Sequence, residues 1–336
     1  MSEIDLSKFK GTPISEMPNG ATGYRSVSEE EFLNTLADDT DVKIIEADEF
    51  LSKFHVPGTY SLPRTLNTLE WWEVFNQGSI GSCLGSSDAQ TATGVYWLKT
   101  GKVQEFSKFG HYLAIQLMAD MKGCRPQSLG KDMGSIPTMA LIVAAQWGYC
   151  PAELAPPYPR SYAEGLQSHR QYIEDLKNPN SDLRKAMAPF RMQKYIRITK
   201  AEQILKAKRV GAGFVQQSSI WPKTMDSHPT RIDDFSDSKD PNNRHAGGHA
   251  YQVLDITPND EFVIGNTWDK GNAKGNTPST NGGWGDEGAK TASMAAEQAI
   301  IDDKMSLVYL KTDMEHQASD SGVANRDVPI DMGRLT

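Results

Sequence analysis

The spacing of apolar residues changes along the chain, from a helical period in the first half to strand-like runs in the second. Apolar positions three or four residues apart predict helices over residues 84–100, 106–122, 136–147 and 163–176. Gly101 and Gly148 follow two of these segments as helix terminators. Short apolar runs between turns predict strands over residues 192–198, 213–217, 250–256, 261–265 and 305–310. The pattern therefore predicts an α+β fold.

The first 56 residues carry most of the excess negative charge. The 336-residue chain has 35 basic and 43 acidic side chains, which gives a net charge of −8. Residues 1–56 contain twelve acidic and five basic residues and so account for −7 of that charge. Ser28 and Glu31 form a capping box, which predicts a helix over 28–38, and residues 42–45 are predicted to form a short strand.

Charge and polarity divide the chain into three parts. We expect residues 1–56 to be an acidic N-terminal extension, residues 57–310 to be the main domain and residues 311–336 to be a polar C-terminal tail. Within the main domain, the polar residues 226–246 and the Gly-, Asn- and Thr-rich residues 269–283 predict surface loops.

Composition also excludes several classes of protein. Hydrophobic residues make up 38% of the chain and charged residues 23%, as in globular and not in disordered proteins. The acidic balance argues against nucleic-acid binding, and the longest apolar run is too short to span a membrane. The N-terminus lacks the features of a signal peptide, and three cysteines are too few for a disulfide scaffold. We therefore expect a protein of the cytoplasm or another reducing compartment.

The sequence also argues against a bound cofactor or metal. It contains neither a P-loop nor a dinucleotide fingerprint. Its three cysteines are too scattered to form a zinc site. We expect the chemistry to rest on side chains alone.

Cys83 is the first candidate for a reactive residue. It ends the run Asn-Gln-Gly-Ser-Ile-Gly-Ser-Cys at 76–83 and begins a predicted helix. The unpaired N–H groups and positive dipole end of a helix N-terminus stabilise a thiolate over a thiol. By itself, the cysteine is explained at least as well as a small buried apolar residue.

A histidine and an asparagine in the second half are the partners that a cysteine nucleophile needs. His249 begins an apolar strand in Gly-Gly-His-Ala-Tyr-Gln-Val, and Asn266 follows the next strand in Gly-Asn-Thr-Trp. A hairpin of these strands would bring the two side chains within reach, so that the asparagine orients a histidine base. Taken singly, His249 is equally explained as a structural histidine and Asn266 as a turn residue.

Two further stretches lie in order with these residues. Gly-Ser-Ile-Pro to Pro-Tyr-Pro spans residues 134–159, and Gly-Trp-Gly-Asp-Glu-Gly spans residues 283–288. Together with the runs around Cys83, His249 and Asn266, they resemble the sequence blocks of the papain-like cysteine peptidases, over about residues 57–310. The pattern is most similar to the bacterial and viral branch. The resemblance implies a two-lobed fold, with a helical lobe, a β-rich barrel-like lobe and the active-site cleft between them.

The resemblance assigns a role to each matching residue. Cys83 would be the nucleophile and His249 the general base and acid. Asn266 would orient the imidazole, and Gln77 would donate its side-chain amide to the oxyanion hole. Trp268 would shield the bond between His249 and Asn266 from water. The substrate-binding residues that the resemblance implies are Gly134, Ser135, Gly248 and Trp268.

Some positions depart from the family pattern. Leu84 stands where an aromatic residue usually follows the nucleophile. Ile80 and Asp132 stand at or near the positions of a cysteine pair that is disulfide-bonded in many secreted members, and its absence agrees with a reducing compartment. Cys83 and His249 are 166 residues apart, more than the usual separation of about 130–150, and we expect the polar loop at 226–246 to account for the difference.

The resemblance favours a cysteine-type endopeptidase that hydrolyses a polypeptide substrate through an acyl-enzyme. Two alternatives use the same fold. A papain-like module with long terminal arms would suit a structural component of a larger assembly, such as a phage or virus particle, with weak or no peptidase activity and a virion location. Transglutaminase-like or amidase chemistry would use the same three residues. Neither nucleic acid nor membrane is an expected partner.

Overall fold

The computed structural model describes residues 29–36, 39, 41–54, 71–73, 75–125, 127–222, 231–232, 244–267, 289–303, 306–312 and 314. These residues form ten α-helices and one eight-stranded sheet, which confirms the predicted α+β class. The predictions for Ser28, Trp268 and residues 269–288 lie outside the described residues, as does the predicted tail beyond 314.

The helices of the first half are α1 (Glu29–Leu36), α2 (Ala47–Leu51), α3 (Cys83–Thr100), α4 (Lys108–Met121), α5 (Pro137–Gln146), α6 (Tyr162–Ser168), α7 (Arg170–Lys177) and α8 (Asp182–Met187). All except α2 and α8, which were not predicted, lie close to predicted positions. The single helix predicted over 163–176 is two helices that meet at His169. Gly148 follows α5 with a φ of +87°, and a Cβ there would overlap the carbonyl oxygen of Met187. Within the described part of the chain, no helix has the length and apolar character to cross a bilayer.

The second half supplies most of the sheet. The strands are β1 (Lys43–Glu46), β2 (Lys194–Arg197), β3 (Phe214–Pro222), β4 (Arg231–Ile232), β5 (Arg244–Ile256), β6 (Phe262–Gly265), β7 (Ala289–Ala292) and β8 (Leu307–Lys311), with helices α9 (Ala201–Arg209) and α10 (Met294–Ile301). Their order is β1-β2-β8-β3-β5-β6-β7-β4, so the described strands form an open sheet. The loop predicted over 226–246 is wrong in part, because it contains β4 and the first residues of β5.

The sheet separates two apolar clusters, because successive side chains of a strand point to opposite faces. Phe214, Ala250 and Leu254 pack with α3, α4 and α5, whereas Tyr251 and Val253 pack with α2, α9 and α10. The first face also carries polar contacts to α3. These contacts join Thr91 Oγ1 to Gln216 Oε1 at 3.1 Å and to Gln252 Oε1 at 3.0 Å, and Gln216 Nε2 to Ser87 Oγ at 2.8 Å. They fix the helix that begins at Cys83 against β3 and β5.

The described part of the predicted N-terminal extension belongs to this folded unit. Strand β1 pairs in parallel with β2 and forms an edge of the sheet. Phe32 is buried and stacks on Tyr309 at 5.2 Å, and Leu51 is buried on the opposite face of the sheet. Near the C-terminus, Lys311 is the last residue of β8 and is fully buried. The boundary of the predicted tail at residue 311 therefore lies inside the folded unit.

Deleting residues 1–56 is therefore expected to destabilise the whole protein. The deletion removes an edge strand and the buried side chains of Phe32, Leu36 and Leu51, each of which contributes about 1.5–3 kcal/mol by burial. Thermal unfolding followed by circular dichroism should show a clearly lower Tm. Deleting residues 1–28 alone is the matched control, because it spares these side chains. An unchanged Tm for the longer deletion would show that the segment is a separable arm.

Candidate active site

The loop before α3 places Cys83 at the first position of that helix. Gly78 turns the chain with a φ of +61°, and its N–H donates to Asn76 Oδ1 at 2.9 Å. The Gly81 N–H lies 3.1 Å from each carboxylate oxygen of Asp132. Cys83 itself is fully buried and directs its thiol from a helix N-terminus, where the helix dipole favours negative charge.

The predicted hairpin is present and joins His249 to Asn266. Strands β5 and β6 pair antiparallel, and His249 Nε2 lies 2.5 Å from Asn266 Oδ1. The backbone N–H of Thr267 also donates to Asn266 Oδ1, at 2.6 Å, which sets the orientation of the amide. Because an oxygen acceptor faces Nε2, that nitrogen carries the proton of the neutral imidazole. The proton-accepting nitrogen of this tautomer is therefore Nδ1.

Gln77 connects the cysteine loop to the end of β6. Its backbone N–H donates to the carbonyl of Thr267 at 2.9 Å, and its side-chain Oε1 accepts a hydrogen bond from Thr267 Oγ1. Its Nε2 donates to the carbonyl of Ile80 at 2.8 Å. Thr267 directly follows Asn266, so these contacts hold the loop that ends at Cys83 against the hairpin that carries His249.

The backbone of Gly134, a predicted substrate-binding residue, forms hydrogen bonds within the protein. The Gly134 N–H donates to Tyr112 Oη at 3.2 Å, and its carbonyl accepts from Arg125 Nη1 at 3.2 Å. The role of the Gly134 backbone in binding a peptide stays a prediction. Ser135 is buried beside it, and Gly248 lies on β5 opposite Ile220. The roles of Ser135 and Gly248 stay predictions.

Two aromatic residues that sequence reasoning missed pack against the site. The Trp221 ring is fully buried and meets the His249 ring edge-on, with centroids 4.6 Å apart. Trp221 and His249 lie on neighbouring paired strands, so only the register of β3 against β5 reveals their proximity. The Tyr158 hydroxyl forms hydrogen bonds to Gln77 and Ser82 in the loop before Cys83. The Pro-Tyr-Pro motif drew attention to Tyr158 in the sequence, but it did not indicate these hydrogen bonds.

The other titratable candidates have structural roles. Cys124 and Cys150 are buried and form no disulfide, and burial raises the pKa of Cys150 to about 12. Burial lowers the pKa of His111 to about 3, and its Nε2 bonds to Asp88 in the core. Among the described residues, no cluster of His, Cys, Asp and Glu side chains could hold a metal ion.

Comparison with known proteins identifies the fold. No protein-family model and no curated protein matches the sequence. Among solved structures, xylellain, a cysteine protease from Xylella fastidiosa, matches with a TM-score of 0.56 and 17% identity, over 88% of this chain and 98% of that one. A procathepsin B from Trypanosoma congolense matches with a TM-score of 0.51 and 13% identity, over 81% of this chain and 83% of that one. The chain has the two-lobed fold of the papain-like cysteine proteases.

Proposed function

We propose that this protein is a cysteine peptidase that hydrolyses peptide bonds through Cys83, His249 and Asn266. The observation that carries the proposal is the contact of His249 Nε2 with Asn266 Oδ1, in a hairpin held against the loop of Cys83. A cysteine at a helix N-terminus, a histidine and an orienting amide are the three groups that thiol catalysis needs. The fold shared with papain-like proteases supports the same activity.

The mechanism follows from the orientation of the histidine. His249 Nδ1 accepts the thiol proton of Cys83, and the thiolate attacks the carbonyl carbon of the substrate peptide. The resulting oxyanion is stabilised by the Cys83 N–H and by the second N–H of the Gln77 amide, whose first N–H donates to Ile80. His249 then returns the proton to the leaving amine, and water hydrolyses the thioester.

Asn266 holds the imidazole of His249 in the orientation and tautomer that these steps need. Its Oδ1 accepts from His249 and from the Thr267 N–H, so it cannot rotate without losing both bonds. It therefore selects the tautomer with a proton-accepting Nδ1. Transfer of the acyl group to an amine in place of water would use the same residues, and a substrate assay separates the two reactions.

The alternative of a structural module within a larger assembly receives less support. That alternative rested on long terminal arms, the acidic N-terminal segment and loop insertions, and residues 29–54 of that segment include an edge strand and buried side chains of the folded unit. A polypeptide is the proposed substrate, and contacts of the termini with assembly partners remain a separate proposal.

Alkylation by iodoacetamide near pH 6 tests the proposed pair of thiolate and imidazolium. We expect Cys83 to be labelled selectively in the folded protein, because an unperturbed thiol is less than about 1% ionised at that pH. His249→Ala should slow the labelling of Cys83 by about 100-fold, since the group that accepts its proton is lost.

Peptide mapping by mass spectrometry locates the label, with Cys124 and Cys150 as internal references outside the proposed site; burial raises the pKa of Cys150 to about 12, so it stays protonated at pH 6. Equal labelling rates of Cys83 in the wild type and in His249→Ala would contradict the proposal. So would a folded wild type in which Cys83 stays unlabelled. Cleavage of a mixture of unstructured peptides by the wild type, measured in parallel, distinguishes hydrolysis from mere thiol reactivity.

A further inference from the structure

The hydroxyl of Tyr158 bonds to the cysteine loop at two places. It donates to the carbonyl of Gln77 at 3.1 Å and lies 2.5 Å from Ser82 Oγ. A phenol has one hydrogen, so when Tyr158 donates to Gln77, the Ser82 hydroxyl donates to Tyr158. One side chain therefore ties the residue that supplies the proposed oxyanion donor to the residue directly before Cys83.

The ring of Tyr158 is held by packing and not by these hydrogen bonds. It meets Phe75 edge-on, with centroids 4.8 Å apart, and Phe109 at 5.7 Å. Phe109 is fully buried in a cluster under the loop. A phenylalanine at position 158 would therefore keep the ring in place and lose only the hydroxyl.

Electrostatics keep Tyr158 a hydrogen-bond donor. Burial is the largest of the causes that raise the pKa of Tyr158, and the negative charge of Asp132 adds to it. The phenol therefore stays protonated at neutral pH, and its bond to Gln77 persists.

The middle of the loop has a separate anchor. Asp132 accepts the Gly81 N–H and is itself held by the Tyr112 hydroxyl at 2.6 Å. Tyr158 acts at the two ends of the loop, at Gln77 and Ser82, where a shift changes the geometry between the nucleophile and the oxyanion donor.

We propose that Tyr158 is a positioning residue that holds Gln77 and Cys83 in register through hydrogen bonds to the Gln77 carbonyl and the Ser82 hydroxyl. The proposal rests on the peptidase function proposed above. The hydroxyl contacts residues on either side of the reacting groups. We therefore expect its loss to act on the chemical step more than on peptide binding. Displacements of about 1 Å at a reacting centre reduce rates by about 100-fold.

The test compares Tyr158→Phe with Tyr162→Phe in the full-length protein. Tyr162 lies four residues away and is also partly buried, but its hydroxyl bonds to Gln116 and to the carbonyl of Leu129, neither of which belongs to the cysteine loop. We expect Tyr158→Phe to lower kcat for peptide hydrolysis by about 10- to 100-fold with KM changed less than twofold. Tyr162→Phe should leave both constants close to those of the wild type.

Thermal unfolding and alkylation of Cys83 complete the comparison. The two variants should have similar Tm values, so that a loss of kcat in Tyr158→Phe alone reports on position and not on stability. The role of Tyr158 would be overturned, while the peptidase function stands, by either of two results. One is a kcat of Tyr158→Phe equal to that of the wild type, and the other is a fall in kcat of the same size in both variants. A folded wild type without hydrolysis or Cys83 labelling would overturn the peptidase function, and this role with it.

Discussion

Cys83→Ala is expected to abolish peptide hydrolysis while the protein remains folded. Removal of a nucleophile that acts as a unit with its base costs about 10⁴- to 10⁶-fold in kcat, because no other group forms the acyl-enzyme. Cys83 is buried at the start of α3, where alanine fits without a steric conflict and is a good helix former. Hydrolysis of a fluorogenic peptide and thermal unfolding, measured side by side, check both parts of the expectation.

The two remaining cysteines provide the matched controls. Cys124→Ala and Cys150→Ala remove buried thiols of the same size, and burial raises the pKa of Cys150 to about 12, so that it stays protonated. Both variants should retain hydrolysis. Residual hydrolysis in Cys83→Ala within tenfold of the wild type, or its loss in Cys150→Ala at an unchanged Tm, would assign the nucleophile to another residue.

Among single substitutions, Lys311→Met is expected to cause the largest loss of stability, about 3–5 kcal/mol of the free energy of unfolding. Lys311 and Asp88 form a fully buried pair that joins β8 to α3, and burial lowers the pKa of Lys311 to about 7, so the lysine is fully charged only below neutral pH. Without the lysine, Asp88 keeps Tyr149 Oη at 3.0 Å and His111 Nε2 at 2.7 Å. Burial lowers the pKa of His111 to about 3, so at neutral pH the imidazole donates a hydrogen bond but supplies no charge. The carboxylate would then be buried without a counter-ion, in a protein whose total stability is about 5–15 kcal/mol.

A second substitution separates the charge from the packing. Asp88→Asn combined with Lys311→Met removes both charges, and urea unfolding should show that it recovers at least half of the loss. Lys185→Met is the control for an exposed ion pair with Asp182 and should leave the urea midpoint unchanged. If Lys311→Met unfolds at the same urea concentration as the wild type, the ion pair does not stabilise the fold.

The elements that depend on local pattern were predicted from the sequence. The apolar period and Gly101 predicted the helix that the structure places at Cys83–Thr100, and Gly101 adopts a φ of +67° as its terminator. His249 and Asn266 are separated by only 17 residues, and two apolar strands with a turn between them suffice to bring them together. Helices and hairpins can be predicted from periodicity, turn residues and short separations, because these signals involve neighbours along the chain.

Contacts between distant segments were not predicted. The helix and the strand predicted in the acidic extension are present, but the pairing of β1 with β2 and the stacking of Phe32 on Tyr309 were not predicted. The Gly134 N–H donates to the hydroxyl of Tyr112, 22 residues away, a partner that the sequence did not indicate. Its sequence block resembles the family, but the partner of a single N–H depends on the packing around it.

By itself, the sequence determined the α+β class, the position of Cys83 at a helix N-terminus and the hairpin of His249 and Asn266. Only the tertiary structure decided how these parts are held together. Gln77 meets Thr267 across 190 residues, and Tyr158 meets Gln77 across 81. Lys311, expected to begin a polar tail, meets Asp88 across 223. Hydrogen bonds and ion pairs at such separations depend on the packing of whole helices and strands, for which no local period provides a signal.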